Sequence, residues 1–315
     1  MTNLADPTAP PRADLERVFA HLIAEGRGLN APLATATDQL AAVRHLMDCY
    51  ADINPRPPLT GVTVHPAVAD EFDAEWLVPE NVGTGRRIVY LHGGAWISGG
   101  AQSHRPLAAA LAQVTHSELL LVEYRLAPEH PFPAGLLDCI AACQWAAENG
   151  PNGASSPQSL VLAGDSAGGN LSAAVCMALI EKQARIPDRL VLLSPNLDNS
   201  RNAERDARYD PISNADKLDA VAALYTGGAV ALSDPRVSPI GIPGPHLRRF
   251  PPTLLQVSGA EFLLWDSRRF AERLAEEGRR VVLSVWPDMP HVWHLFIDQL
   301  PEADASLKEI AHFLR

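Results

Sequence analysis

Ser159-Leu160-Val161-Leu162-Ala163-Gly164-Asp165-Ser166-Ala167-Gly168 leads into a helical pattern from Asn170 to Ile180, and this stretch decides the fold. Its first half is a short apolar run of the kind that forms a buried strand; the segment after it is rich in Ala, Leu and Val. Between them stands a Gly-x-Ser-x-Gly pentapeptide. A serine on so sharp a strand-to-helix turn holds its hydroxyl away from the backbone, and the flanking glycines leave room for that geometry. The amides that open the helix point at any negative charge forming beside the serine. Short Gly-Ser strings also occur in ordinary loops, so the strand and helix on either side give this one its meaning.

Outward from this turn, strand-like runs alternate with helical ones. Candidate strands are Val62–Ala67, Phe72–Val78, Arg87–Leu91, Leu119–Tyr124, Leu160–Ala163, Leu190–Leu193, Thr253–Val257 and Val281–Trp286. Several are continuous Val, Leu and Ile runs, as expected of strands covered on both faces. Eight such runs with intervening helices predict an α/β protein with a doubly wound, mostly parallel sheet. The first two have no helix between them and can pair antiparallel as a meander. Upstream, Asp14–Glu25 and Asp38–Tyr50 carry apolar stripes at helical spacing, and the proline-rich Asn54–Leu59 ends the second.

Residues 198–252 depart from the alternation, being polar and rich in Pro and Gly, with one good helical stretch at Ala215–Tyr225. They predict an excursion that covers the site, with the N-terminal helices beside it. The expected division is residues 1–55 as N-terminal cap helices and 56–315 as a catalytic domain with a cap insertion at about 198–250.

At 315 residues the chain is long enough for one large domain with appendages. Its net charge of −11 disfavours nucleic acid and anionic membrane as partners, since both reward a basic face. No apolar run approaches the roughly 18 residues of a membrane span. The polar start, Met1–Arg12, predicts no secretory signal and a cytoplasmic location by default. Cys49, Cys139, Cys143 and Cys176 sit in apolar helical patterns and are expected as buried, reduced thiols.

Ser166 needs a base, an orienting acid and an oxyanion hole before its hydroxyl becomes a useful nucleophile. For the oxyanion hole, a strand runs into His92-Gly93-Gly94-Ala95-Trp96, where missing side chains let the amides of Gly93 and Gly94 approach a ligand oxygen. The amide of Ala167 completes that set. His92 itself is expected to brace the loop. Among the 11 histidines, His291 stands in a proline-rich loop beyond the last strand, where the order nucleophile, acid, histidine places the base. His294 is the alternative. Two carboxylates compete for the acid. Glu261 comes directly off the seventh strand, whereas Asp266 precedes a helical run and has an alternative role as its N-cap. Asp165 and Asp288 stand too close in sequence to the serine and the histidine to orient the imidazole from behind.

At these residues the chain resembles the bacterial hormone-sensitive-lipase-like esterases of the α/β-hydrolase fold. The resemblance rests on His92-Gly93-Gly94, on Tyr124-Arg125-Leu126-Ala127-Pro128-Glu129-His130-Pro131-Phe132-Pro133-Ala134, and on Gly164-Asp165-Ser166-Ala167-Gly168-Gly169. Ser194-Pro195 with Asp198, and the Trp286–His291 ending, complete it. The family usually has a third glycine where this chain has Ala95, and a methyl group fits there if φ is below zero. It usually places Asp at the acid position about 30 residues before the histidine. Glu261 stands 30 residues before His291 and Asp266 stands 25, so the spacing favours Glu261. A glutamate is one methylene longer and must be held further back.

The resemblance implies an eight-stranded α/β-hydrolase sheet flanked by helices, with a helical cap. It implies hydrolysis of small, short-acyl carboxylic esters, no metal or organic cofactor, and, from family habit, a homodimer. Trp96, Tyr209 and Tyr225 are candidate pocket walls. Two other readings stand beside this one: a lactonase, amidase or peptidase on the same fold, and a non-catalytic ligand-binding module.

Overall fold

The computed structural model describes residues 12–29, 36–53, 59–83, 85–200, 215–261 and 263–315. Ten strands occur among them: β1 (Val62–Pro66), β2 (Asp73–Pro79), β3 (Arg86–Leu91), β4 (Glu118–Glu123), β5 (Asn149–Gly150), β6 (Gly153–Ala154), β7 (Ser159–Asp165), β8 (Arg189–Leu193), β9 (Thr253–Ser258) and β10 (Val281–Trp286). Eight of them form one sheet in the order β1-β2-β4-β3-β7-β8-β9-β10. β1 on β2 and β2 on β4 are antiparallel, and every later pairing is parallel. The chain therefore has the α/β-hydrolase fold, with the expected meander at one edge. β5 and β6 form a separate two-residue hairpin that the sequence reading missed, because pairs that short carry no periodicity.

The helices are α1 (Ala13–Leu29), α2 (Ala36–Cys49), α3 (Ala101–Thr115), α4 (Ala134–Ala146), α5 (Ala167–Glu181), α6 (Ala215–Thr226), α7 (Gly244–Leu247), α8 (Leu264–Glu276) and α9 (Pro301–Phe313). Alternation along the strands divides the core into two layers. Val89, Leu91, Leu120, Val122, Leu160 and Leu162 face α4, α5 and α8. Their neighbours Ile88, Tyr90, Leu119, Leu121, Val161 and Ala163 face α3 and α9. Both faces are covered, which is why these strands read as unbroken apolar runs.

α1 and the residue that follows α2 bury Val18, Leu22 and Tyr50 in the second layer, beside the 289–296 segment that follows β10. Cys139, Cys143 and Cys176 are buried and unpaired, and Cys49 is half-buried. Among the described residues no helix is long and apolar enough to cross a membrane.

Candidate active site

β7 ends at Asp165 and α5 begins at Ala167, which leaves Ser166 on the turn between them. Its backbone is left-handed (φ 50°, ψ −115°), a conformation that costs a non-glycine residue about 1–3 kcal/mol and persists only where surroundings enforce it. Here Ser166 N–H donates to Leu193 O on β8 at 2.9 Å. Gly168 is required by close approach, since a Cβ there would collide with the Leu91 and His92 carbonyls of the neighbouring strand end.

The loop after β10 brings His291 to this turn. His291 Nε2 lies 3.0 Å from Ser166 Oγ, and Nδ1 lies 2.6 Å from Glu261 Oε2. A carboxylate only accepts, so the imidazole proton sits on Nδ1 and leaves the Nε2 lone pair facing the hydroxyl. Glu261 is almost fully buried, and its other oxygen accepts from Ser194 Oγ at 2.8 Å and Ser258 N–H at 2.7 Å. These two donors are what hold the longer glutamate side chain back. Ser194, at φ 43° just beyond β8, is a positioning residue the sequence reading had only as half of a Ser-Pro pair.

The two alternatives lie elsewhere. Asp266 Oδ2 accepts from the Leu197 and Asp198 amides, both at 2.9 Å, so it fastens the loop after β8. It is also no N-cap: α8 starts at Leu264, and Asp266 falls inside its first turn. His294 is fully buried with Nε2 at 3.0 Å from Gln256 Oε1, and burial pushes its pKa down to about 3.

In the loop after β3, the carbonyls of His92, Gly93 and Gly94 are pinned. Tyr124 OH donates to His92 O at 2.8 Å. His92 Nδ1 lies 2.7 Å from Gly93 O, as a donor. Gly94 O accepts from Ile97 N–H at 3.2 Å, Ser98 N–H at 2.9 Å and Ser98 Oγ at 2.7 Å. A trans peptide points its N–H opposite to its C=O, so pinning the carbonyls also aims the amides.

The Gly93 amide is thereby directed at Asp165 Oδ1, 3.0 Å away, and His104 Nε2, 3.2 Å away. It is engaged inward and drops out of the predicted oxyanion set. The amides of Gly94, Ala95 and Ala167 have no acceptor among the described residues. Ala95 has φ 56°, so its methyl group is carried in a left-handed turn, contrary to the condition set from sequence.

The loop rests on a buried polar cluster. Asp165 also accepts from Tyr90 OH at 2.8 Å and has Oδ2 3.3 Å from His104 Nε2. Burial alone would raise the Asp165 carboxyl; His104, Tyr90 and His92 outweigh it and hold the group below its usual range. His92 braces the loop as expected, stacked on Tyr124 at 4.2 Å, and burial pushes its pKa down to about 3. Of the candidate pocket walls, Trp96 and Tyr225 stack on one another at 4.6 Å and are nearly closed to solvent, while Tyr209 lies outside the described residues.

The parallel sheet, the serine on its strand-to-helix turn and the serine–histidine–carboxylate line define an α/β hydrolase. The profile of the alpha/beta hydrolase fold family matches residues 88–295, and the chain belongs to that family, among its hormone-sensitive-lipase-like members. A crystal structure of an esterase from the bacterial hormone-sensitive lipase family superposes with a TM-score of 0.82 at 32% identity, over 98% of this chain and 99% of that one. An acetyl-hydrolase of Streptomyces hygroscopicus is 36% identical over 77% of this chain and 79% of its own length. The carboxylesterase/phospholipase LipF of Mycobacterium tuberculosis is 37% identical over 74% of this chain; the match spans 62% of LipF.

Proposed function

We propose that the chain hydrolyses small carboxylic esters with short acyl groups, through Ser166 as nucleophile, His291 as base and Glu261 as orienting acid. The observation that carries this is the unbroken line from Ser166 Oγ to His291 Nε2 at 3.0 Å and from His291 Nδ1 to Glu261 Oε2 at 2.6 Å. Ser166 Oγ attacks the ester carbonyl while its proton passes to Nε2. The Glu261 carboxylate stabilises the imidazolium so formed. The carbonyl oxygen, now an anion, takes hydrogen bonds from the Gly94, Ala95 and Ala167 amides; one such donor contributes about 10²–10³ in rate. His291 then returns the proton to the departing alkoxide. Water gives one proton to His291 Nε2 as its oxygen attacks the acyl-enzyme; that proton then passes from His291 to Ser166 Oγ as the acyl bond breaks, and the carboxylic acid leaves with the water's other proton.

The short-acyl preference is supported by the acetyl-hydrolase among the relatives. Its test is turnover of p-nitrophenyl acetate, butyrate and decanoate against a lactone and an anilide. The acetate and butyrate are expected to be the fastest substrates. A lactone or anilide turned over faster than either would replace the ester reading with another hydrolase on this fold. Ser166→Ala is expected to abolish turnover, and a phosphonate probe to label Ser166 in the wild-type chain.

A further inference from the structure

The loops bearing His291 and the Gly94–Ala95 amides start from distant strands. β3 and β10 are four places apart in the sheet, roughly 19 Å at the usual strand spacing. The reaction proposed above needs both loops placed to a fraction of an ångström. The sheet brings each strand end near the site but does not set the loops beyond it. Helix α2, with the residue that follows it, reaches both loops through side-chain hydrogen bonds.

Directly after the last residue of α2, Tyr50 OH donates to the carbonyl of His291 itself at 2.7 Å. The Tyr50 ring is buried against Phe296, with centroids 5.6 Å apart. His21 Nε2 on α1 lies 3.2 Å from the Cys49 and Tyr50 carbonyls, and Gln299 Nε2 donates to Ala51 O at 3.0 Å, so the end of α2 is fixed on two sides. Six residues earlier, about 9 Å along a helix axis, stands Arg44. Its Nε donates to Ile97 O, at the far side of the Gly94–Ser98 turn, at 2.9 Å. Its two terminal nitrogens grip Glu129 in a bidentate pair at 2.9 and 2.7 Å. Ala127 N–H in turn holds Trp96 O at 2.9 Å. Arg44 thus ties the oxyanion loop to the Tyr124–Ala134 motif and to α2 at once.

We propose that α2 is a positioning element of the active centre, in which Tyr50 fixes the histidine loop and Arg44 fixes the oxyanion loop relative to one another. Neither side chain takes part in bond making. Each sets the backbone from which a reacting group projects. Ground-state binding of a small ester draws little on either contact, whereas proton transfer and oxyanion capture draw on both. The signature is a fall in kcat with KM unchanged.

This inference rests on the triad reading, and the experiment separates the two. Tyr50→Phe removes one hydroxyl and keeps the ring against Phe296. Arg44→Lys keeps a cation for Glu129 but loses the fork that also reaches Ile97 O. For p-nitrophenyl butyrate, each variant is expected to lose about 5- to 10-fold in kcat, the scale of one hydrogen bond, with KM within twofold. Labelling of Ser166 by a phosphonate probe is expected to slow by the same factor. Arg44 is on the solvent side of the contact, so its variant carries the test independently of the buried tyrosine. Both variants within twofold of wild type in kcat, or losses carried mainly by KM, would overturn the positioning role. Failure of the probe to label Ser166 in the wild-type chain would instead overturn the triad reading.

Discussion

Glu261→Gln exchanges one carboxylate oxygen for an NH2 group, and the surrounding hydrogen bonds dictate which one. Oε1 accepts from Ser258 N–H at 2.7 Å and from Ser194 Oγ at 2.8 Å. The hydroxyl can rotate, but the backbone amide can only donate, so the glutamine carbonyl is held at the Oε1 position. The NH2 group then occupies the Oε2 position, 2.6 Å from His291 Nδ1 in the native chain. Facing a donor, Nδ1 must accept, and the imidazole proton moves to Nε2, where it points at Ser166. In that tautomer His291 cannot take the serine proton. Loss of the orienting carboxylate in such triads costs about 10⁴ in kcat, or roughly 5 kcal/mol of transition-state stabilisation. The assay is kcat for p-nitrophenyl butyrate from pH 6 to 9, with the unfolding midpoint recorded alongside. Asp266→Asn is the matched control: its remaining oxygen can still serve the Leu197 and Asp198 amides, so kcat is expected within about threefold of wild type. A Glu261→Gln enzyme keeping more than a tenth of wild-type kcat, or an Asp266→Asn enzyme losing a hundredfold, would refute the assignment.

Three further outcomes follow from the same geometry. Ser194→Ala leaves Glu261 Oε1 with the Ser258 amide alone; a hydrogen bond to a charged group contributes about 1.5–3 kcal/mol, so kcat should fall about 10- to 100-fold, and a loss under twofold would refute the role. His291→Ala should abolish ester turnover while His294→Gln retains most of it, because the pKa of His294 is pushed down to about 3 and its ring faces Gln256; the reverse result would exchange their roles. His92 and His294 both have pKa values lowered to about 3 by burial, from an ordinary 6.5. Both are neutral when folded but protonate in the unfolded chain below pH 6.5, so their stabilisation is present above that pH and lost as pH falls. Together they should remove about 2 kcal/mol of unfolding free energy between pH 6 and 5, measured by urea titration; a flat profile there would refute it.

The eight main strands were legible because a parallel sheet buried on both faces writes continuous apolar runs into the chain. The two-residue hairpin at β5 and β6 left no such trace. Ser166 and His291 were legible for a related reason: a strand-to-helix turn and a proline-fixed loop are local structures with local residue requirements. Glu261 was favoured over Asp266 by its place directly off the seventh strand, by the N-cap role open to Asp266, and by spacing. What separates them in the structure is the pair Ser194 and Ser258, which come from different strands. The oxyanion loop divides in the same way. Its glycines marked a place where backbone meets ligand. Which amides face that place depends on Asp165, Tyr124 and His92 pinning the peptide planes, and that turned Gly93 inward.

From the sequence alone came the sheet, the order of its strands along the chain, and a serine and a histidine at two strand ends in the order a hydrolase needs. These follow from periodicity and turn chemistry, which act over a few residues. Tertiary structure alone decided what holds the Glu261 carboxylate against His291, which amides remain for an oxyanion, and that α2 spans both loops. Those are directions of hydrogen bonds between distant segments, 241 residues apart for Tyr50 and His291, and no local pattern encodes a direction across that distance.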